Sequence, residues 1–417
     1  MNILIPDAYF WPEKIAFTHL EEDLLDLFTK DGNSVTVLCP IPTRGTDKST
    51  VIEFRNRLQD SINGVNVIRF WAPQEGRNPL VRALRYFWCN YKQIQIGKRL
   101  TDTDIIFAVS TPPTQGLMAS KLKRQLSKKK QIHVPLVYSL QDVFPDSLVN
   151  AGLAKENGIA WKLGRVIEDK TYQNSDAIVV ISEGMKKNIL KKGVDEEKIS
   201  LIPNWIDFEA TKSIDRIDNR LMDELSIPKG KKIVLYAGNF GETQGAEIII
   251  DVARKLSDEK DILFVLFGGG LGYKNVKKSA EKLDNIMTFD LQPIERVSEV
   301  YSMGDVVLVT CKPGTGKASM PSKLWSIMAC NRRIIAAFDL DSDLSRLVNK
   351  LEAGRCVEPG NSDAIAESIL LELSDESKKE VAVRSKAMAI ASKEACTAGY
   401  LKVLKSTFHK SNYEGKE

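Results

Sequence analysis

The chain has 417 residues, of which 43% are hydrophobic and 27% charged, and its formal net charge is +4. This composition excludes a disordered chain, and the length favours two or more domains. No apolar run reaches the roughly 18 residues of a membrane span, and the first residues lack the basic segment of a signal peptide. We therefore expect a cytoplasmic protein, either free or peripheral on a membrane.

The charge distribution and the cysteine content exclude only a few classes of binding partner. Residues 1–205 carry a net charge of +5 and the remainder a net charge of −1, which indicates either an anionic partner in the first half or ordinary surface scatter. The six cysteines form no C-x-x-C pair and the chain has three histidines, so no zinc site is predicted. We expect no metal, no bound cofactor and no nucleic-acid partner.

Runs rich in Val and Ile alternate with amphipathic stretches, which predicts parallel strands joined by helices. The pattern restarts after "IPNWIDFEA", so we predict an α/β fold with two doubly wound domains, residues 1–205 and 206–394, and a last helix at about 395–410. The predicted strands of the first domain are NILIPD, SVTVLCP, VNVIRFWAP, TDIIFAVS, VPLVYSLQD, DAIVVIS and ISLIPNWID. Those of the second are KKIVLYAGNFG, ILFVLFGGG, IMTFDLQP, DVVLVTCK, RIIAAFD and AGRCVEPGN.

Ligands of such sheets bind beyond the carboxyl ends of the strands, and two sheets predict a site in the cleft between them. The turn "AGNFGETQG" places Gly238 and Gly241 between a strand and a helix, where a backbone can approach a phosphate. The alternative is a tight turn without a ligand. The run Gly268, Gly269 and Gly270 follows the next strand and leaves space either for a flat ring or for a loose turn.

The segment "MPSKLWSIMA" predicts a helix that starts at Met320 and Pro321, because proline suits the first helical turn. Lys323 lies in that first turn, where its charge and the helix N-terminus both favour an anion. A lysine beside the cleft is a candidate for binding a pyrophosphate, and the alternative is a solvated surface lysine.

Five segments in this order and spacing resemble bacterial glycosyltransferases of family 4, which have the GT-B fold: VISEGMKKNIL, KGVDEEKISLIPNWID, YAGNFGETQG, FGGG and MPSKLWSIMA. The chain is most similar to the branch that builds O-antigen, capsule or exopolysaccharide units, some members of which transfer N-acetyl-fucosamine. The resemblance implies an acceptor-binding first domain, a nucleotide-sugar-binding second domain, retention of configuration and independence of metal. It also implies that the last helix, at about 395–410, crosses back to the first domain.

The sequence departs from the family at four charged positions. Asn239 and Gln244 stand where the family commonly has an arginine and a lysine on the diphosphate, and Ala318 and Ser326 replace its Glu-x7-Glu pair. Lys323 is retained. Because the glycines around these positions are retained too, we expect an active enzyme in which Lys317 supplies the missing charge and Ser326 bonds a ribose hydroxyl. The candidate donor-binding residues are Gly238, Asn239, Gly241, Gln244, Gly268, Gly269, Gly270, Lys317, Ser319, Met320, Pro321, Ser322 and Ser326.

We expect Lys323 and Asp142 to be the catalytic residues. Asp142 follows a predicted strand and either orients an acceptor hydroxyl, as a base, or caps a helix. We predict that four further residues line the acceptor cleft. For the histidine among them, the alternative is a packed or solvated position outside the cleft. They are Glu13, Lys14, His19 and Glu183.

The segment "NPLVRALRYFWCNYKQIQIGKR" is amphipathic at helical spacing. Its apolar face is predicted to carry Leu80, Leu84, Phe87, Tyr91 and Ile94, and the opposite face Arg82, Arg85, Lys92 and Arg99. One interpretation is a core-packed helix with a solvated basic face. The other is docking on an anionic bilayer, helped by the nearby basic run "KLKRQLSKKK".

Together these features predict a glycosyltransferase that moves a sugar from a nucleoside diphosphate to a polyprenyl-diphosphate-linked saccharide at the cytoplasmic membrane face. We expect a UDP-sugar in preference to a GDP-sugar, although no residue separates the two bases. Two alternatives stay open, a catalytically impaired GT-B scaffold and a nucleotide-sugar 2-epimerase, which would need histidines and carboxylates in the cleft.

Overall fold

The chain folds into two units, each built on a parallel sheet. Met1–Asn204 and Glu394–Glu417 form the N-terminal unit, and Trp205–Lys393 forms the C-terminal unit. The computed structural model describes residues 1–13, 17–44, 46–75, 78–150, 152, 154–270, 272–317, 320–374 and 382–414.

The sheet of the N-terminal unit has eight strands in the order β3-β4-β2-β1-β5-β6-β7-β8. All neighbours are parallel except β3 and β4, which form an antiparallel pair at the edge. The buried Val and Ile runs predicted the other seven strands, whereas β3 is polar and was missed. The strands are β1 Asn2–Pro6, β2 Ser34–Pro40, β3 Gln59–Ile62, β4 Val65–Phe70, β5 Ile105–Val109, β6 Leu136–Leu140, β7 Ala177–Val180 and β8 Ile199–Leu201.

Helices cover both faces of this sheet, and α3, α4 and α6 lie side by side on one of them, since α4 contacts both α3 and α6. The last helix, α16, also packs on this unit: the Tyr400 hydroxyl lies 3.0 Å from Ser139 Oγ, and its ring meets Phe107 edge-on. The helices are α1 Thr18–Lys30, α2 Lys48–Arg55, α3 Pro79–Gly97, α4 Gln115–Lys130, α5 Asp146–Asn150, α6 Ile159–Asn174, α7 Glu183–Lys191 and α16 Lys393–Glu414.

The sheet of the C-terminal unit has six parallel strands in the order β11-β10-β9-β12-β13-β14. The strand order reverses between β9 and β12, and the loops at such a switch point form a crevice at the carboxyl ends of the strands. The strands are β9 Lys232–Asn239, β10 Ile262–Gly269, β11 Ile286–Asp290, β12 Val306–Thr310, β13 Arg333–Ala337 and β14 Gly354–Val357. The helices are α8 Arg220–Glu224, α9 Ile248–Lys255, α10 Tyr273–Ala280, α11 Val297–Ser302, α12 Lys323–Ala329, α13 Asp343–Lys350, α14 Ser362–Ser374 and α15 Val383–Ala391.

One helix boundary differs from the prediction. Helix α12 begins at Lys323, two residues after Pro321, and Leu324 N–H donates to the Pro321 carbonyl in the preceding turn. Of the helices in the described ranges, none combines the length and apolarity needed to cross a bilayer. Within those ranges no group of three or more His, Cys, Asp or Glu side chains is placed to hold a metal ion.

Candidate functional site

The end of β9 forms the floor of the candidate donor site. Tyr236 is fully buried, and its hydroxyl donates to the Asn239 carbonyl at 3.1 Å, which fixes the turn that leaves the strand. Side chains alternate along a strand, so Tyr236 and Gly238 share one face. A Cβ atom at Gly238 would lie 3.2 Å from Lys323 Nζ, so the missing side chain leaves room for that ammonium group.

Lys323, the first residue of α12, brings the one predicted cationic group to this floor. Its Nζ lies 4.4 Å from the centre of the Tyr236 ring, a cation–π geometry. Burial lowers the pKa of the Lys323 ammonium to about 8, and no carboxylate of the described residues is paired with it. A half-buried ammonium without a counter-ion favours the arrival of an anion.

The glycines at the end of β10 and directly after it serve two different purposes. A Cβ atom at Gly268 would come within 2.5 Å of the stacked rings of Phe240 and Tyr273, so Gly268 is required for packing. Gly270 has φ +93°, and a Cβ atom there would overlap Asn239 Oδ1. The Asn239 side chain therefore lies across the loop after β10 and joins it to the loop after β9.

A third loop, residues 312–317 after β12, is fixed by a carboxylate that the sequence analysis did not select. Asp339, buried at the end of β13, accepts the backbone N–H groups of Gly314 and Gly316, each at 2.8 Å. The loop also contacts the loop after β9, because Lys312 N–H donates to the Thr243 carbonyl. Asp339 thus holds the segment that leads to α12.

The remaining residues that were predicted to bind the sugar donor differ in their exposure and in their contacts. Lys317 forms an exposed ion pair with Asp341 at 2.8 Å, so part of the charge expected from it is already neutralised. Ser326 lies one helical turn after Lys323 on the partly exposed side of α12. The Gln244 N–H donates to the Gly241 carbonyl and closes a turn. Gly269 lies against Leu291, and Met320 packs on the core. Pro321 is partly exposed and Ser322 is exposed. Ser319 and Ala318 lie outside the described residues.

Asp142, the second predicted catalytic residue, lies after β6 in the N-terminal unit. Desolvation by the surrounding protein raises the pKa of its carboxyl group, and hydrogen bonds from Ser147 and from Val143 N–H oppose that shift. The preceding residue, Gln141, is fixed by Ser139 Oγ at 3.0 Å and by the Asn204 amide at 2.9 Å. The Asp142 carboxylate is exposed and available to an acceptor.

The predicted acceptor residues that the structure describes differ in burial and in their contacts. Glu13 is buried, and its Oε1 accepts the N–H groups of Thr43 and Arg44, so its carboxylate anchors the loop after β2. His19 lies exposed on α1, and Glu183 is exposed as the first residue of α7. Ser182 caps α7, because its Oγ accepts the Met185 N–H. Lys14 lies outside the described residues.

The orientation of α3 is the reverse of the core-packed interpretation. Leu84, Phe87 and Tyr91 are 68%, 67% and 54% exposed, whereas Arg85 is fully buried. The Arg85 guanidinium donates to Thr43 Oγ1 at 2.8 Å and lies 5.0 Å from the centre of the Tyr9 ring. The expected solvated basic face is therefore wrong at Arg85, and an apolar stripe faces the solvent.

Two family models match the chain. The model described as "Glycosyltransferase Family 4" matches residues 22–210, and that described as "Glycosyl transferases group 1" matches residues 218–389. The chain belongs to the glycosyltransferases. Its two parallel-sheet domains are those of the GT-B fold, as the sequence predicted.

Individual relatives agree with this family. A putative colanic acid biosynthesis glycosyl transferase, WcaI of Escherichia coli K12, is 32% identical over 56% of this chain, but the match covers only 58% of that protein. The probable glycosyltransferase WbjE of Pseudomonas aeruginosa is 28% identical over 72% of this chain and 74% of its own length. HepE of Anabaena, solved in complex with UDP-glucose, has a TM-score of 0.67 at 17% identity and covers 97% of this chain and 100% of its own.

In this glycosyltransferase the sequence analysis found Lys323 and the glycines but missed Tyr236 and Asp339. A signal for Tyr236 was present, because it stands two residues before Gly238 in a strand and must share its face. Asp339 had none, since it acts on backbone N–H groups more than twenty residues away in sequence.

Proposed function

We propose that the enzyme transfers a sugar from a UDP-sugar to a lipid-linked saccharide, with retention of configuration and without a metal ion, in bacterial surface polysaccharide synthesis. The observation that carries the donor half is the unpaired ammonium of Lys323 at Gly238. Departure of the nucleoside diphosphate places negative charge on its terminal phosphate. A preorganised cation at that position stabilises the charge where it develops.

The donor class follows from the chemistry of the C-terminal unit. Backbone N–H groups of the loop after β9 and the ammonium of Lys323 together offer donors to a diphosphate. HepE, solved in complex with UDP-glucose, has the same fold, and this supports a uridine nucleotide in preference to guanosine. The description of WcaI as a putative colanic acid biosynthesis glycosyl transferase supports surface polysaccharide synthesis, and no feature of the described site residues supports N-acetyl-fucosamine above other sugars.

The acceptor half rests on the N-terminal unit. Asp142 is a candidate to orient or deprotonate the acceptor hydroxyl, since its carboxylate is exposed at the carboxyl end of β6 and its raised pKa makes it a stronger base. The exposed stripe Leu84, Phe87 and Tyr91 on α3 favours docking on an anionic bilayer, where a polyprenyl-linked acceptor resides. The lysine run at the end of α4 lies next to Lys98, at the other end of α3 from Leu84, so it is not the charge that accompanies this stripe.

A transfer assay tests this function. Purified protein is given UDP-sugars and GDP-sugars in EDTA, with an acceptor extracted from membranes, and the anomeric configuration of the product is read by NMR. We expect transfer from a UDP-sugar with retention and a loss of about a hundredfold or more in Lys323→Ala. Lys255→Ala, which removes an exposed lysine paired with Asp363 outside the candidate site, is the matched control and should stay near wild type. A strict requirement for an added divalent metal, or an inverted product, contradicts the proposal.

The replacement of both family glutamates by Ala318 and Ser326 favours one alternative, a nucleotide-binding protein without turnover. That protein would bind UDP and show no transfer with any acceptor. The epimerase alternative finds no support, because the three histidines of the chain all lie outside the C-terminal unit, and His133 is paired with Asp176.

A further inference from the structure

Helix α6 has an exposed apolar stripe that the donor and acceptor sites do not use. Ile159, Leu163 and Val166 are 81%, 63% and 50% exposed, and their spacing of four and three residues places them on one side of the helix. The opposite side is packed, because Gly164 lies against Pro145 and Tyr172 belongs to the buried core. The stripe is therefore the outer surface of a helix that is firmly attached to the sheet.

This stripe and that of α3 protrude at the same edge of the sheet. Gly97 of α3 lies against Leu122 of α4, and Gly116 of α4 lies against Thr171 of α6. These two contacts align α3 and α6 with α4, and a helix rises by about 1.5 Å per residue. Measured along the helices, Leu84 and Leu163 therefore each lie about 10 Å before the level at which α4 begins. Helices in a parallel α/β unit start at the carboxyl edge of the sheet, which is the edge that carries Asp142.

The electrostatics of the same layer suit an anionic lipid. Helices α3 and α4 contain no Asp or Glu. The two acidic residues of α6, Glu168 and Asp169, are both paired with Arg165. Lys162 is exposed beside Leu163, and Lys92 lies over the Trp88 ring at 5.0 Å. Apolar and aromatic side chains among lysines, on helices whose acidic residues are either absent or paired with Arg165, are the composition of an interfacial membrane surface.

We propose that α6 is a second membrane contact, about 16–20 Å from that of α3 across α4 at ordinary helix spacings. A single stripe would let the enzyme rotate about the axis of α3. Two stripes at the same height fix its tilt, so that the carboxyl edge of the N-terminal sheet faces the bilayer. This inference rests on the membrane contact proposed for α3, and the variants below separate the two.

The test is sedimentation with vesicles of phosphatidylglycerol and phosphatidylethanolamine. The α6 variant carries Ile159→Gln, Leu163→Gln and Val166→Gln, and the α3 variant carries Leu84→Gln, Phe87→Gln and Tyr91→Gln. Ile132→Gln, which changes an apolar side chain 54% exposed at the other end of α4, is the control. We expect the partition coefficient to fall about tenfold in each stripe variant and to be unchanged in the control. A thermal unfolding curve with the Tm of the wild type confirms that each variant is folded.

The outcomes separate the two contacts. If only the α3 variant loses binding, the α6 contact is overturned and the α3 contact stands. If neither loses binding, both are overturned. If the α6 variant alters the oligomeric state without vesicles and leaves vesicle binding unchanged, the stripe is an interface between copies. A polarity-sensitive dye on a Leu163→Cys variant should shift to the blue on vesicles, and the same dye on Ile132→Cys should not; equal spectra with and without vesicles at the first position overturn the proposal.

Discussion

Lys323 Nζ lies 4.4 Å above the centre of the Tyr236 ring, and a methyl group at Gly238 would come within 3.2 Å of the same nitrogen. The first residue of α12 is thus held against the end of β9, in the crevice where the strand order of the C-terminal unit reverses. The ring desolvates the ammonium without neutralising it. A desolvated ammonium group of this kind interacts more strongly with a bound diphosphate than the ammonium of a solvated lysine would.

Gly238→Ala should weaken donor binding. The new methyl group would displace Lys323 Nζ or occupy the space that the phosphate needs, and we expect the Kd for UDP to rise about tenfold, at the scale of overpacking costs of 1–3 kcal/mol. Calorimetric titration measures this. Gly230→Ala is the matched control, because a Cβ atom there meets nothing within 4 Å, and it should bind UDP as the wild type does.

Donor affinity should fall at alkaline pH. The folded pKa of Lys323 is lowered to about 8, so the ammonium is present below that pH and is lost as pH rises through it. A bound diphosphate favours the charged form, so binding takes up protons in this range. We expect the Kd for UDP to increase between pH 7 and pH 9.5 in the wild type. Lys323→Arg should bind with little pH dependence over this window, since a guanidinium stays charged. Equal affinities of the wild type at both pH values contradict this role of Lys323.

Asp339→Ala should impair donor binding through the loop of residues 312–317. Two backbone N–H groups lose their acceptor, at Gly314 and Gly316, and we expect a cost of about 1–3 kcal/mol in stability together with a higher KM for the donor. Thermal unfolding and donor kinetics measure the two effects. Asp341→Ala removes an exposed carboxylate of the neighbouring turn and should change stability by less than about 1 kcal/mol. A donor KM unchanged in Asp339→Ala would show that this loop does not shape the site.

The N-terminal unit should lose stability as pH rises toward neutrality. Burial raises the pKa of Asp7 to about 7, and burial together with Asp7 raises the pKa of Glu21 well above its ordinary value. The folded state then holds more protons than the unfolded state between about pH 4 and pH 7, so the free energy of unfolding decreases across that interval. Asp7→Asn removes one ionising group. We expect its Tm to depend less on pH from 5 to 8 than that of the wild type; parallel Tm profiles contradict the assignment.

Most of the fold was predictable from sequence because buried parallel strands appear as continuous Val and Ile runs. The polar edge strand β3 lacks that pattern, and its pairing with β4 depends on a turn and on register. The apolar periodicity of α3 was correctly identified, but the sequence left two orientations open, with the apolar face either in the core or toward a bilayer. Periodicity defines two faces and does not say which is buried, and here Arg85 finds its partners in the interior at Thr43 and Tyr9.

The candidate donor site was predicted in part for a similar reason. Glycines and a lysine at the ends of strands mark where a ligand can approach, so Gly238 and Lys323 could be selected from spacing alone. Two other features of the site depend on tertiary contacts that leave no local sequence pattern. The Asn239 side chain lies against Gly270, and Asp339 accepts hydrogen bonds from a loop that is distant in sequence.

The most direct test of the central claim is calorimetric titration of the protein with UDP, GDP and ADP in EDTA, repeated on Lys323→Ala. We expect UDP to bind without metal, and the substitution to raise its Kd by about a hundredfold, at the scale of a lost charge-assisted contact of 1.5–3 kcal/mol. If no nucleotide binds, or if UDP binds equally well to Lys323→Ala, then Lys323 at Gly238 is not the diphosphate site and the proposed donor chemistry is wrong.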